Sequence, residues 1–220
     1  MMLRMMTLIV KVRLGVAILI LSFCSLCAAQ EKRKLTYGIL VDNTGSMRTQ
    51  FSTVQTIAET LVNQIQEHGP VSIFDFHSES ASRDRENAEP KVRIEASQNR
   101  DLLVRTIDQD YIEGGQTTLL DAIEFIRATL NKQSQDADKV IILITDGEDR
   151  TSKTKRTQLV EDLRKDKITV FAIGLVQDLE FRKSKATNLL RELAEETGGR
   201  AIFPKSIRDF DLQALAIPIQ

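Results

Sequence analysis

The chain has 220 residues, of which 42% are hydrophobic and 28% are charged, with 10 Gly and 4 Pro. This composition is typical of a globular protein and excludes a disordered tail or a collagen-like repeat. The formal net charge of −1 provides no basic excess to hold a nucleic-acid backbone, so nucleic acid is not an expected partner.

The first 29 residues predict an export signal. Basic residues precede an uncharged stretch, residues 14–29, which ends in small side chains and is short for a membrane span of about 20 apolar residues. Cleavage after Ala29 would leave residues 30–220 as one domain without a membrane span, and an uncleaved N-terminal anchor is the alternative. Both cysteines lie in the leader, and the remaining domain carries 27 basic against 31 acidic residues. We therefore expect an exported protein, periplasmic or secreted.

Short apolar runs predict the strands of a parallel sheet. Strands that are covered on both faces are apolar over most of their length. The runs are residues 35–41, 71–77, 139–145 and 168–175. A short alternating charged stretch, residues 91–96, predicts an edge strand. Residues 200–204 predict a last edge strand before a terminal helix around residues 207–216.

Amphipathic stretches between these runs predict helices, because their apolar residues recur with helical spacing. They are residues 51–69, 117–132, 157–167 and 186–199. Strands that alternate with helices of this length predict a doubly wound α/β sheet, mainly parallel, with helices on both faces. Ligands of such sheets bind beyond the carboxyl ends of the strands. The residues at those ends are therefore the candidates for function.

Oxygen-bearing side chains follow the predicted strand ends. Asp42, Thr44 and Ser46 follow the first strand, Asp146 follows the strand that ends at Thr145, and a loop containing Gly114 and Gly115 leads to Thr117 and Thr118. Carboxylates and hydroxyls are the ligands that hard cations prefer, Mg²⁺ above all. The arrangement predicts a metal site with an open coordination position.

These motifs resemble the metal-ion-dependent adhesion site of bacterial exported von Willebrand factor type A domains. The resemblance rests on "DNTGS", on the Thr in "GGQTTLLDAI" and on the Asp in "TDGED", and it extends over residues 30–220. It implies a doubly wound sheet with one short antiparallel edge strand, for which residues 91–96 are the candidate. It also implies that a partner's Asp or Glu completes the coordination of Mg²⁺, with Mn²⁺ or Ca²⁺ as alternative metals. The metal ligands implied are Asp42, Thr44, Ser46, Thr117 and Asp146.

Simpler interpretations exist for each motif. Ser, Thr and Asp are preferred at helix N-caps, so the first motif could cap a helix that begins near Met47. The turn chemistry around the Asp-Gly pair accounts for Glu148 and Asp149 as solvated side chains. Thr44 stands where the family pattern usually has Ser, which keeps the hydroxyl but adds a methyl group.

The function expected from the sequence is an exported, Mg²⁺-dependent protein-binding module, used for adhesion or interaction, and not an enzyme. One alternative is a metal-independent scaffold subunit of a larger complex. Another is a metal-dependent phosphohydrolase with Asp42 as nucleophile. That chemistry needs a general acid two residues further on, where Thr44 is a poor acid.

Overall fold

The computed structural model of the chain describes residues 34–76, 90–112 and 117–219. The predicted leader, residues 1–29, lies outside the described residues. So do His77, which was predicted to end the second strand, and both Gly114 and Gly115.

Within the described residues, six strands form one sheet with the order β3-β2-β1-β4-β5-β6. The strands are β1 (Leu35–Asp42), β2 (Val71–Phe76), β3 (Lys91–Ser97), β4 (Asp138–Thr145), β5 (Ile168–Gly174) and β6 (Ala201–Ile202). Neighbouring strands run parallel except at β3, which pairs antiparallel with β2. The predicted mainly parallel sheet with one antiparallel edge strand is confirmed.

The helices follow the strands in the expected alternation. They are α1 (Phe51–Ile65), α2 (Arg100–Asp108), α3 (Leu119–Gln133), α4 (Arg156–Lys165), α5 (Lys183–Glu196) and the one-turn α6 (Leu212–Leu215). In the part of the chain that the structure describes, three 3-10 helices cover Gly45–Met47, Gln177–Arg182 and Ile207–Asp209. Four of the six α-helices in these ranges therefore lie where the apolar spacing predicted them.

The core has two layers, one on each face of the sheet. Alternate residues of β1 point to opposite faces, as the strand period of two requires. Tyr37, Ile39 and Val41 pack with α1 and α2, whereas Leu40 packs with α3, α4 and α5. Helices thus cover both faces, and the edge of the sheet at the carboxyl ends of the strands is left for binding.

The sequence prediction missed α2 and overestimated the terminal helix. The Asn99 side chain accepts a hydrogen bond from the Leu102 amide (3.1 Å), an N-cap that marks the start of α2. At the carboxyl end of the chain, the helix predicted at residues 207–216 is instead the 3-10 helix Ile207–Asp209 followed by α6, which stops at Ala216 in the left-handed region (φ 51°). The last strand is also shorter than predicted.

Candidate metal centre

The candidate centre lies at the switch in strand order between β1 and β4. From β1 the chain continues to β2 on one side, whereas β4 and β5 lie on the other. Asp42 is the last residue of β1 and Thr145 the last of β4. The two strands pair directly and in parallel, so both ends open at the same edge of the sheet. In doubly wound sheets this is where ligands bind.

Asp42 is fully buried, and three hydrogen bonds fix its carboxylate. Oδ1 accepts from the amide (3.0 Å) and the hydroxyl (2.6 Å) of Thr44, and Oδ2 accepts from the Thr145 hydroxyl (2.6 Å). Burial raises the pKa of Asp42 to about 7, and the neighbouring Asp146 carboxylate raises it too, whereas the bonds from Thr145 and Thr44 lower it. The carboxyl is well oriented, but its negative charge is poorly compensated.

The hydroxyls of Thr44 and Ser46 lie next to this carboxylate. Their oxygens are 3.2 Å apart, and Ser46 is exposed while Thr44 is buried. Thr44 precedes the 3-10 helix Gly45–Met47, but its side chain makes no capping hydrogen bond there, and α1 begins only at Phe51. The first motif therefore does not act as the side-chain helix cap considered from the sequence. The Thr44 hydroxyl instead donates to Asp42, and the Ser46 hydroxyl lies next to that of Thr44.

Asp146 follows β4 directly and is only 2% exposed. Its Oδ1 accepts a hydrogen bond from the Glu148 amide (2.9 Å), whereas its Oδ2 is buried without a hydrogen-bond partner among the described residues. Burial raises the pKa of Asp146; the Ser46 hydroxyl and the Glu148 amide lower it, although Ser46 does not satisfy Oδ2. A buried carboxylate oxygen without a donor is costly, so this position is suited to a cation.

Thr117 precedes α3 and is held at the same edge of the sheet by contact with the loop that follows Asp146. The Arg150 amide donates to the Thr117 carbonyl (3.0 Å), and the Thr117 side chain is 3% exposed. The next helix is tied to the same loop, since the Leu120 amide donates to the Ser152 hydroxyl (3.1 Å). Loop contacts thus hold Thr117 beside the segment that carries Asp146. Its choice as the ligand over Thr118 stays a prediction.

The assembled donors suit a hard divalent cation. No group of three or more His, Cys, Asp or Glu side chains within the described ranges is arranged to hold a metal. The candidate donors are instead two buried carboxylates that repel each other, Asp42 and Asp146, together with neutral hydroxyls. Oxygen ligands with only two negative charges would leave a Mg²⁺ ion partly hydrated and able to accept a further ligand.

Two residues at this edge have roles that the sequence did not predict. Thr145 orients Asp42, and its hydroxyl also accepts from the Gly147 amide (3.0 Å). Glu148 was expected to be solvated, but its side chain is only 3% exposed and forms ion pairs with Arg150 and Arg182. A Thr at the end of an apolar strand was a visible signal for the first role. Of the partners of Glu148, Arg150 is only two residues away, but Arg182 comes from a distant segment and left no local signal.

Comparisons with known proteins agree with this architecture. The sequence profile of the von Willebrand factor type A domain matches residues 38–216. No curated protein matches the chain significantly. Among solved structures, a von Willebrand factor type A protein from Catenulispora acidiphila is 17% identical with a TM-score of 0.60. The match covers 80% of this chain and 40% of the Catenulispora acidiphila chain. This chain therefore spans less than half the length of that protein.

Two further solved structures share the fold. The manganese-loaded TRAP protein of Plasmodium vivax is 17% identical with a TM-score of 0.53, and the match covers 71% of this chain and 63% of that one. An aerotolerance-related membrane protein from Bacteroides fragilis is 15% identical with a TM-score of 0.60, covering 83% and 96% respectively. Identities this low show the fold alone, but the family profile covers most of the chain. The chain belongs to the von Willebrand factor type A domain family.

Proposed function

We propose that this protein is an exported, Mg²⁺-dependent protein-binding module that holds a carboxylate of its partner through the metal. The observation that carries the proposal is the buried Oδ2 of Asp146, which has no hydrogen-bond donor among the described residues and lies beside a second buried carboxylate, Asp42. Two such groups repel each other, and a divalent cation would relieve both the repulsion and the missing contact.

The proposed ligand set combines the two carboxylates with three hydroxyls. It consists of Asp42, Thr44, Ser46, Thr117 and Asp146. A bound cation would supply a positive centre with an open position that accepts an Asp or Glu side chain from the partner. Exposed Ser46 marks the solvent side of the site, which supports entry of the partner from this direction. Mg²⁺ is the metal we favour, and the manganese-loaded TRAP structure supports a divalent cation in a protein of the same fold.

The geometry favours binding over hydrolysis. A nucleophilic aspartate must present one carboxylate oxygen to its substrate. Asp42 is 0% exposed, and both of its oxygens accept hydrogen bonds from Thr44 and Thr145. This supports a non-enzymatic role and weakens the phosphohydrolase alternative.

One observation favours the second candidate, a metal-independent scaffold subunit. The Thr44 hydroxyl already donates to Asp42 (2.6 Å), so this part of the site is satisfied by the chain itself. A scaffold would bind its partner equally well in EDTA. The two candidates are therefore separated by metal dependence.

Export remains part of the proposal, because the signal-like segment lies outside the described residues. Within the described residues, no helix has the length and apolar character to cross a membrane. Mass determination of the protein produced in cells would test cleavage after Ala29. Recovery of the intact chain in the membrane fraction would favour the uncleaved anchor instead.

The metal site is tested by thermal unfolding of the purified protein after EDTA treatment, with Mg²⁺, Mn²⁺ or Ca²⁺ added back. A ligand at 100 times its dissociation constant adds about 2.7 kcal/mol, which raises Tm by about 5–10 °C for a domain of this size. Asp146→Asn should abolish the rise. Asp136→Asn is the matched control, because this Asp is exposed and precedes β4 at the opposite edge of the sheet. Wild-type protein that shows no rise at millimolar metal would contradict the proposal.

A further inference from the structure

A cleft of about 650 Å³ lies directly beside the candidate metal centre. One wall is the segment that follows Asp146, and the other is the start of α5 with the preceding 3-10 helix. Its lining includes four basic and three acidic side chains, which are Arg150, Arg156, Arg182, Lys185, Glu148, Asp149 and Glu192. Because Gly147 and Glu148 also line it, the cleft begins within two residues of a proposed metal ligand.

Two arginines from different segments converge on one carboxylate in this cleft. Arg150 donates through Nε to Oε2 of Glu148 (2.9 Å), and Arg182 pairs with Oε1 of the same group. The Glu148 side chain is 3% exposed, whereas the side chains of Arg150 and Arg182 are 50% and 58% exposed. The negative charge is therefore buried, and the two positive charges are presented to solvent.

This arrangement leaves binding capacity for an anion. A guanidinium carries five N–H donors in a planar fork that matches a carboxylate. The bonds to Glu148 use two nitrogens of Arg150 and one of Arg182. Glu148 offsets only one of the two positive charges, and the other carboxylate that interacts with Arg150 is Asp146, a proposed metal ligand. Shared pairing holds the guanidinium groups in place, so an incoming anion would meet an ordered pair.

The lip of the cleft also has the side chains of an interaction surface. Phe181, adjacent to Arg182, is 98% exposed. Aromatic and Arg side chains are enriched among residues that dominate binding energy at protein interfaces. The 3-10 helix that carries them is tied to the turn between Gly45–Met47 and α1, since the Thr49 hydroxyl donates to Asp178 (2.7 Å). The aromatic and cationic groups therefore lie on the same edge as the metal centre.

We propose that this cleft binds a second carboxylate of the partner, a few residues away from the Asp or Glu that coordinates the metal. The partner segment is then acidic, with two carboxylates in one short stretch of chain. The inference rests on the proposed function, because the first carboxylate is the one held by the metal. Arg182 and Arg150 act as the specificity-determining pair, and the metal supplies the anchor.

The test measures how Mn²⁺-loaded full-length protein broadens the NMR signals of short synthetic peptides, which detects weak binding next to a paramagnetic ion. One peptide carries a single Asp in a Gly/Ser background. The others add a Glu two, three or four residues away, or a Gln at the same positions. We expect a second carboxylate to lower Kd about fivefold or more at one spacing, since charge-assisted bonds to Arg are the stronger ones. The Gln peptides should bind like the single-Asp peptide.

Variants assign the effect to the cleft. Arg182→Gln should remove the gain from the second carboxylate while Mn²⁺ affinity and binding of the single-Asp peptide stay unchanged. Arg150 continues to pair with Glu148 in this variant, so the metal loop keeps one of its ion pairs. Arg164→Gln is the matched control, because this exposed Arg lies at the end of α4, on the opposite edge of the sheet. The gain should persist there.

The outcomes separate the two proposals. If the single-Asp peptide does not bind in the presence of metal, the proposed function fails, and this inference fails with it. If that peptide binds but no spacing gives a gain, or the gain survives Arg182→Gln, only the inference is overturned. A further set of peptides carries phosphoserine in place of the added Glu. A gain in affinity with these peptides but not with the Glu peptides would also overturn the inference, because the second group would then be a phosphate.

Discussion

Replacing Asp42 with Asn should stabilise the metal-free protein at neutral pH, although it removes a proposed metal ligand. Burial and the nearby Asp146 raise the pKa of Asp42 from 3.8 to about 7. Between these two pH values the folded state holds the proton more tightly than the unfolded state. The free energy of unfolding therefore falls as pH rises from about 4 to about 7, and it stays low above pH 7. Asn has no charge at any pH, so the free energy of unfolding of the variant does not fall for this reason.

The structure gives an approximate size for the effect. Raising the pKa from 3.8 to about 7 corresponds to about 4 kcal/mol at pH 8. Asn keeps the oxygen that accepts both bonds from Thr44, but its amide nitrogen replaces the oxygen that accepts from Thr145. The Thr145 hydroxyl then loses its acceptor, which lowers the free energy of unfolding by about 1–2 kcal/mol. A net gain of about 2–3 kcal/mol remains, or about 4–12 °C in Tm.

The assay is thermal unfolding of EDTA-treated wild type and Asp42→Asn from pH 5 to pH 8.5. We expect the Tm of Asp42→Asn relative to that of the wild type to increase up to about pH 7 and then to stay constant. Saturating Mg²⁺ should reverse the order, because only the wild type gains from the metal. Metal binding should also be stronger at pH 8 than at pH 5.5, since Asp42 must lose its proton.

Taking the difference between the two proteins at each pH removes the contribution of titrating groups that do not interact with Asp42. Asp146 does interact with Asp42, so its response is part of the measured difference. Asp136→Asn controls for the substitution itself, because this Asp is exposed and precedes β4 at the opposite edge of the sheet. The reasoning is refuted if Asp42→Asn is less stable than the wild type at pH 8 in EDTA. It is also refuted if the difference between them is the same at pH 5 and pH 8.

The remaining predictions concern two glycines with positive φ and the side-chain cap of α2. Gly147→Ala should lower the free energy of unfolding by about 1–3 kcal/mol and weaken Mg²⁺ binding, because φ is +77° and a Cβ would lie 2.8 Å from Leu190. In chemical denaturation Gly198→Ala should cost less, since φ is +87° but no atom lies within 4 Å, and an equal cost would contradict the clash. Asn99→Ala should cost about 1 kcal/mol through the lost cap on α2, whereas Asn99→Asp should be neutral, and equal losses would contradict the cap.

Local patterns in the sequence were sufficient for the architecture. Strands buried on both faces must be apolar throughout, and the helices between them must show one apolar stripe, so both are visible in short windows. The ends of the apolar runs also located the ends of two strands, at Asp42 and Thr145. Once these ends were known to open at one edge, the first motif and Asp146 could be placed together without coordinates.

Local pattern failed where propensity was weak. The stretch that forms α2 is strongly charged, and only its cap at Asn99 and the buried Leu103 and Ile107 distinguish it from a loop. The helix predicted at residues 207–216 is instead divided into the 3-10 helix Ile207–Asp209, which buries no residue, and α6, which buries only Leu215.

The sequence by itself determined that the sheet is mainly parallel and doubly wound, that its core lies on both faces, and at which edge the candidate ligands meet. Only the tertiary structure decided how those ligands are supported. The Thr145 hydroxyl on Asp42, the Arg150 amide on Thr117, and the pairing of Arg182 with Glu148 join segments that are 103, 33 and 34 residues apart. Such contacts have no periodicity, because they depend on where loops from separate strands come to rest. The charge and shape of the cleft beside the metal centre therefore could not be predicted from the sequence.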